Sequence, residues 1–215
     1  MRNGVIEVTG MVLSVMPVGE RDRRVALLTL EQGKLSFFAR GAGRPGSPFM
    51  GVTRPFAYGK FSLFQGRDSY TLEGAEIANY FESLTLDVES TCYGTYFLEL
   101  MDYYNREYAP EPRYLKLLYF SLLALQKPAL PRELTRRIFE LRSMVTDGSY
   151  DPEPPLRSGE GCAYTWHYIC TAPLEKLYTF AISEESLAEL GENVDASLHR
   201  YVDRTLHSLE ILKLL

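Results

Sequence analysis

Residues 41–46 read GAGRPG, which is G-x-G-x-x-G letter for letter. An apolar run, KLSFFAR, precedes it, and Asp68 lies downstream at a distance suited to a ribose-binding carboxylate. That chemistry needs a helix to begin inside the motif, because the pyrophosphate sits on the helix N-terminus. Here Pro45 and Pro48 follow, then FMGVTRPF and another strand-like run, so no strand–helix–strand unit can form. Dinucleotide binding is therefore excluded on context. The glycines instead let a backbone approach a ligand closely, and Arg40, Arg44 and Arg54 supply forked cationic donors suited to phosphate oxygens. Arg21, Arg23 and Arg24 enter one predicted strand and Lys34 enters the next; a hairpin is expected to bring both groups to one rim. Phe37, Phe38, Tyr58 and Phe61 are the aromatic candidates, as core or for stacking bases.

Catalytic patterns are missing. There is no G-x-S-x-G, no H-E-x-x-H and no phosphate-loop lysine motif. His199 and His207 each follow an aspartate by four residues, Asp195 and Asp203, and read as solvated helix pairs. Cys92, Cys162 and Cys170 are few, odd in number and scattered, as free thiols of a reducing compartment would be.

The formal charge of −5 is unevenly spread. Residues 1–72 hold ten Lys or Arg against five Asp or Glu, a net of +5, which leaves −10 on the other 143 residues. A basic first part joined to an acidic remainder points to a polyanion facing only the first part. The overall pI of about 5.4 conceals this.

The elements that position these residues change period once. VIEVTGMVLSV, RRVALLTL, KLSFFAR, FAYGKFSLFQG and RDSYTLEGAEIA are β-branched or alternating, with a turn at EQGK. Five strands with a longer loop after the third match the size of an OB-fold barrel. From residue 79 onward helical spacing takes over: Tyr93, Tyr96, Phe97, Leu100, Met101 and Tyr104 share one face. Leu115, Leu118, Tyr119, Leu122 and Leu123 repeat that spacing. A helix is expected from Pro131 to near Gly148, and others through GCAYTWHYICTA, SEESLAELG and VDASLHRYVDRTLHSL, after a proline-rich loop, YDPEPPLRSGEG. The expected fold is α+β and multidomain: an N-terminal five-stranded OB-fold β-barrel at 1–78, followed by an α-helical domain at 79–215. No apolar run approaches the ~18 residues of a membrane span. The N-terminus does not read as a signal peptide, so a cytoplasmic location is expected.

The stretch GMVLSVMPVGERDRRVALLTLEQGKLSFFARGAGRPGSPFMGVTRPF resembles the N-terminal domain of the RecO family of bacterial recombination and repair proteins. The shared features are a G-x-V-L strand, a "GE-D" step, a "T-E-G" turn and an "A-RGA-R-S" basic loop. YFLEL, FELR and APLEKL continue the resemblance, which covers nearly the whole chain. It implies an OB-fold joined to a helical domain that binds single- and double-stranded DNA and anneals complementary strands. It further implies work with RecR and single-stranded-DNA-binding protein to load RecA. The residues expected at DNA are Arg21, Arg23, Arg24, Lys34, Arg40, Arg44 and Arg54. The family takes the acidic tail of single-stranded-DNA-binding protein on its helical domain, and Arg132, Arg136 and Phe139 share a helix side suited to such a tail; the alternative is that Glu133 and Glu140 pair with the arginines and Phe139 is core. Many members carry a four-cysteine zinc module after the FELR helix. This chain has only Cys162 and Cys170 there, in C-x7-C, so no zinc and no cofactor are expected. The resulting reading is a non-enzymatic, cytoplasmic, nucleoid-associated DNA-binding and annealing mediator. The alternatives are an RNA-binding OB protein and a protein–protein adaptor.

Overall fold

The computed structural model describes residues 4–146, 148, 153–155 and 158–214; parts of the proline-rich loop at 150–161 lie outside them. Five strands, β1 (Val5–Val18), β2 (Asp22–Thr29), β3 (Gly33–Ala39), β4 (Tyr58–Gln65) and β5 (Tyr70–Asn79), close a barrel in the order β1-β2-β3-β5-β4. This is the expected OB-fold. All pairings are antiparallel except β3 with β5, which meet only at Phe37–Tyr70 and Phe38–Thr71. Closure requires β1 to serve two neighbours: Val5–Met11 pair with β4 and Gly10–Val18 with β2. A register shift between Val12 and Ser14 bends the strand between those tasks. Gly10 sits at the crossing because a Cβ there would lie 2.5 Å from the Leu28 carbonyl oxygen.

Alternation fills the barrel. Val8, Val12, Val25, Leu27, Leu35, Phe37, Phe61 and Leu63 are buried inside it, with Phe37 and Phe61 in ring contact at 6.0 Å. A short helix, α1 (Phe49–Val52), stands between β3 and β4. The remainder is helical: α2 (Glu82–Thr85), α3 (Val88–Tyr104), α4 (Pro112–Leu125), α5 (Arg132–Thr146), α6 (Glu160–Thr171), α7 (Glu184–Tyr201) and α8 (His207–Leu212), with one 3₁₀ turn at Leu174–Lys176. The chain forms two compact units, Met1–Glu82 with Leu98–Leu115, and Ser83–Phe97 with Lys116–Leu215. Among the described residues no helix is long and apolar enough to cross a membrane.

Candidate nucleic-acid interface

One end of the barrel is shut by its own unit. At the β2–β3 turn Gly33 takes φ +68°, and a Cβ there would strike the Ala109 carbonyl. The Tyr108 N–H donates to the Lys34 carbonyl at 3.1 Å. The opposite end, where Ala42 is buried and α1 sets Phe49 and Val52 against the core, carries the arginines on its outside. Arg24 pairs with Phe38 and Arg23 with Ala39, so the start of β2 meets the end of β3. The glycine loop then folds back over the start of β2. The Gly41 N–H donates to Asp22 Oδ1 at 2.7 Å and the Gly43 N–H to the Arg21 carbonyl at 2.8 Å.

These contacts explain the glycine motif. Gly41 and Gly46 take φ +71° and +76°, a conformation that side chains resist. Gly43 is needed for approach, since a Cβ would meet the Arg21 backbone at 3.2 Å. No helix starts within the motif, and α1 is a single turn beyond it. The loop gathers Arg21, Arg24, Arg40 and Arg44 at that end, all exposed. Among the described residues none of the four is ion-paired with a carboxylate. Exposed cations held together outside ion pairs are the chemistry that a polyanion site needs.

Three residues assigned to that rim behave differently. Lys34 is at the wrong end: it pairs with Leu28, next to the turn, because a hairpin sets the start of one strand against the finish of the other. Its ammonium is held by Asp102, 3.1 Å from Oδ1. Lys34 is therefore removed from the interface. Arg23 is half-buried and donates to the Met50 carbonyl at 3.2 Å and to Thr53 Oγ1 at 3.1 Å, so it anchors α1. Arg54 follows that anchor and is exposed, with its guanidinium 5.5 Å from the Tyr80 ring centroid. Of the four aromatic candidates, Phe37 and Phe61 are fully buried, which leaves Phe38 and Tyr58 partly exposed on the outside.

The helical side of the reading is also corrected. Phe139 is fully buried and stacks on Phe97 at 4.1 Å. Arg136 and Arg137 are each only 6% exposed. Arg136 Nε donates to Glu140 Oε1 at 2.8 Å, and Arg137 reaches Glu133, Glu140 and Asp195 at 2.6, 3.1 and 2.5 Å. Glu140, wholly buried, also accepts from the Tyr96 hydroxyl at 2.6 Å. Burial alone would lower both guanidiniums, but Glu140 and its neighbours outweigh it and hold them above their ordinary range. Arg132 is bound by Asp87 at 2.6 Å and Glu89 at 2.8 Å. Arg132, Arg136 and Phe139 thus do not form one exposed patch: α3 and α7 cover the side that reads as solvent-facing.

The remaining chemistry-bearing residues have structural duties. Cys162 and Cys170 are both buried on α6, and burial pushes their thiols up, Cys170 to about 12. Eight residues of helix separate their Cα atoms by about 12 Å, too far for one zinc ion. Protonated, separated thiols do not make a zinc site. His199 Nδ1 lies 2.9 Å from the Asp195 backbone carbonyl, while the Asp195 carboxylate serves Arg137. Asp203 and His207 do not share a helix as expected, because α7 ends at Tyr201 and α8 begins at His207.

The family model "Recombination protein O N terminal" matches residues 1–81, and "Recombination protein O C terminal" matches residues 85–150. A protein named DNA repair protein RecO from Acetivibrio thermocellus is 26% identical over 243 residues, covering 98% of this chain and 97% of that one. Its namesake in Alkaliphilus metalliredigens is 33% identical over 75% of this chain and 64% of the relative. Another, from Symbiobacterium thermophilum, is 35% identical over 72% and 60%. These last two alignments span less than two thirds of the relatives' own lengths.

Proposed function

Since this chain belongs to the RecO family, with its role in DNA repair and recombination, we propose that it is a non-enzymatic DNA-binding mediator. In this reading it anneals complementary single strands. It also works with RecR to load RecA onto DNA coated by single-stranded-DNA-binding protein, in the cytoplasm at the nucleoid. The barrel unit is the DNA-binding domain and the helical unit the partner-binding one. The observation that carries the reading is the barrel end with exposed Arg21, Arg24, Arg40 and Arg44, in no ion pair among the described residues, joined by Arg54 beyond α1.

Annealing needs no bond-making step. Two strands repel through their phosphates, and a cationic surface that neutralises part of that charge lets them approach while the base edges stay free to pair. Arginine suits this task because its fork binds phosphate oxygens without losing its charge. The test is annealing of complementary strands, naked and coated with single-stranded-DNA-binding protein, with and without this chain. Faster annealing of both supports the reading. Acceleration of neither, together with no measurable binding of either strand, overturns it.

A further inference from the structure

A row of side chains on the outside of the barrel is not accounted for by phosphate binding. Strand register sets Met16 opposite Arg24, Arg24 opposite Phe38, Phe38 beside Thr71, and Thr71 opposite Phe64. Their chain neighbours Val25, Phe37, Tyr70, Leu72 and Leu63 fill the core, so the row itself points outward. Met16 is 61% exposed and Phe64 42% exposed, and Phe38 is half-buried between them. An outward sheet position is ordinarily polar, yet here large apolar groups flank a cation. Strands lie ~4.8 Å apart, so Met16 and Phe38 stand about 10 Å from each other with Arg24 between.

The chemistry of the occupant follows from this alternation. An unpaired nucleic-acid strand offers apolar base faces next to anionic phosphates, whereas a duplex hides those faces in its stack. A peptide adding to the sheet edge is the less suited occupant. Beyond Met11, β1 has left β4, but Pro17 lies in that stretch and brings no N–H to a new ladder. We propose that Met16, Arg24 and Phe38 form a base-stacking strip that selects unpaired nucleotides, while Arg21, Arg40 and Arg44 take the phosphates. This rests on the reading of the arginine-bearing barrel end as a DNA site. It adds that the barrel reads the presence of bases as well as charge.

Removing the bases while keeping the backbone separates the two readings. Fluorescence anisotropy with the full chain compares a labelled oligothymidylate with an abasic strand of equal length and phosphate number. The base-bearing strand binds roughly ten- to a hundredfold more tightly, as one or two stacked bases require. Met16→Ala combined with Phe38→Ala removes most of that difference and leaves abasic binding unchanged. If the double variant loses its fold, Met16→Ala alone decides, because that side chain is largely exposed; it must still narrow the difference. Equal binding of both strands by the unaltered protein overturns the strip and leaves the phosphate site standing. Binding of neither strand overturns the phosphate site and the strip together.

Discussion

Whether an arginine is free or paired separates the two basic groups of this chain more sharply than its position in the sequence. Arg40 and Arg44 lie on a loop shaped by Gly41, Gly43 and Gly46 and are exposed. Changing both to Ala is expected to weaken single-strand binding about ten- to a hundredfold at moderate salt. It also flattens the salt slope by up to ~2, one counterion-releasing contact per arginine. The fold survives, since neither guanidinium holds the structure together. A folded double variant with an unchanged slope moves the DNA site elsewhere. Arg136 and Arg137 are the opposite case, with Glu140 buried between them. Glu140→Ala leaves two buried cations short of a counter-charge and is expected to destabilise the helical unit by about 3–5 kcal/mol. Phe139→Ala carries a similar expectation, about 3–5 kcal/mol from lost burial and the cavity left against Phe97. Urea midpoints check both. Little change in either would return that face of α5 to solvent and reopen it as a docking surface.

At the scale of elements, much was legible because strand and helix periods are local. The period-2 runs became β1–β5, and the face from Tyr93 to Met101 became the buried side of α3. The glycine motif could be separated from a nucleotide turn by Pro45 and Pro48 alone, since a helix cannot begin as that chemistry demands. Hairpin register decides against Lys34: the turn at EQGK (31–34) is legible, but strand direction sets the start of β3 against the end of β2, away from the rim. The far side of α5 was legible only in part: its pairing with Glu133 and Glu140 is local, but its burial is not. Its charges look solvated in sequence because their remaining partners arrive from other elements, Asp195 being 58 residues from Arg137. The end of α7 at Tyr201 carries no Gly or Pro to announce it. Barrel closure gives an element-level prediction. A Cβ at Gly59 would lie 2.2 Å from the Glu76 carbonyl oxygen across the β4–β5 ladder. Gly59→Ala is expected to force these strands apart, cost more than the ~1 kcal/mol typical of a point change, and impair DNA binding through the barrel. A variant with unchanged melting temperature and affinity would show that the β4–β5 ladder yields readily there.

Across the whole molecule, titration follows from how many ionisable groups the two units keep neutral inside. Burial, aided by Glu133, pushes Tyr93 up to about 12, and burial raises Tyr96 and Tyr178 as well. The Cys162 thiol is raised and that of Cys170 reaches about 12, again through burial. All five hold their protons more firmly when folded than when unfolded. Between each group's unfolded and folded values the native chain therefore binds more protons, and stability falls as pH rises. Their stabilising effect is complete below pH ~8.5, where unfolded thiols and phenols stay neutral, and is lost progressively above it. Cys170 alone contributes up to about 1.4 kcal/mol per pH unit in that window. Urea midpoints measured at about pH 8, 10 and 11 should fall steadily, and Cys170→Ala should make the decline shallower. Identical slopes for the two proteins would mean that this thiol meets water in the folded state. The arginine-bearing rim, proposed as the DNA site, should respond on a different axis. Arginine keeps its charge throughout this range, so affinity measured on the folded protein should track salt while stability tracks pH. A loss of affinity near pH 10 in protein still folded by circular dichroism would place a titrating group, and not only arginines, at the interface.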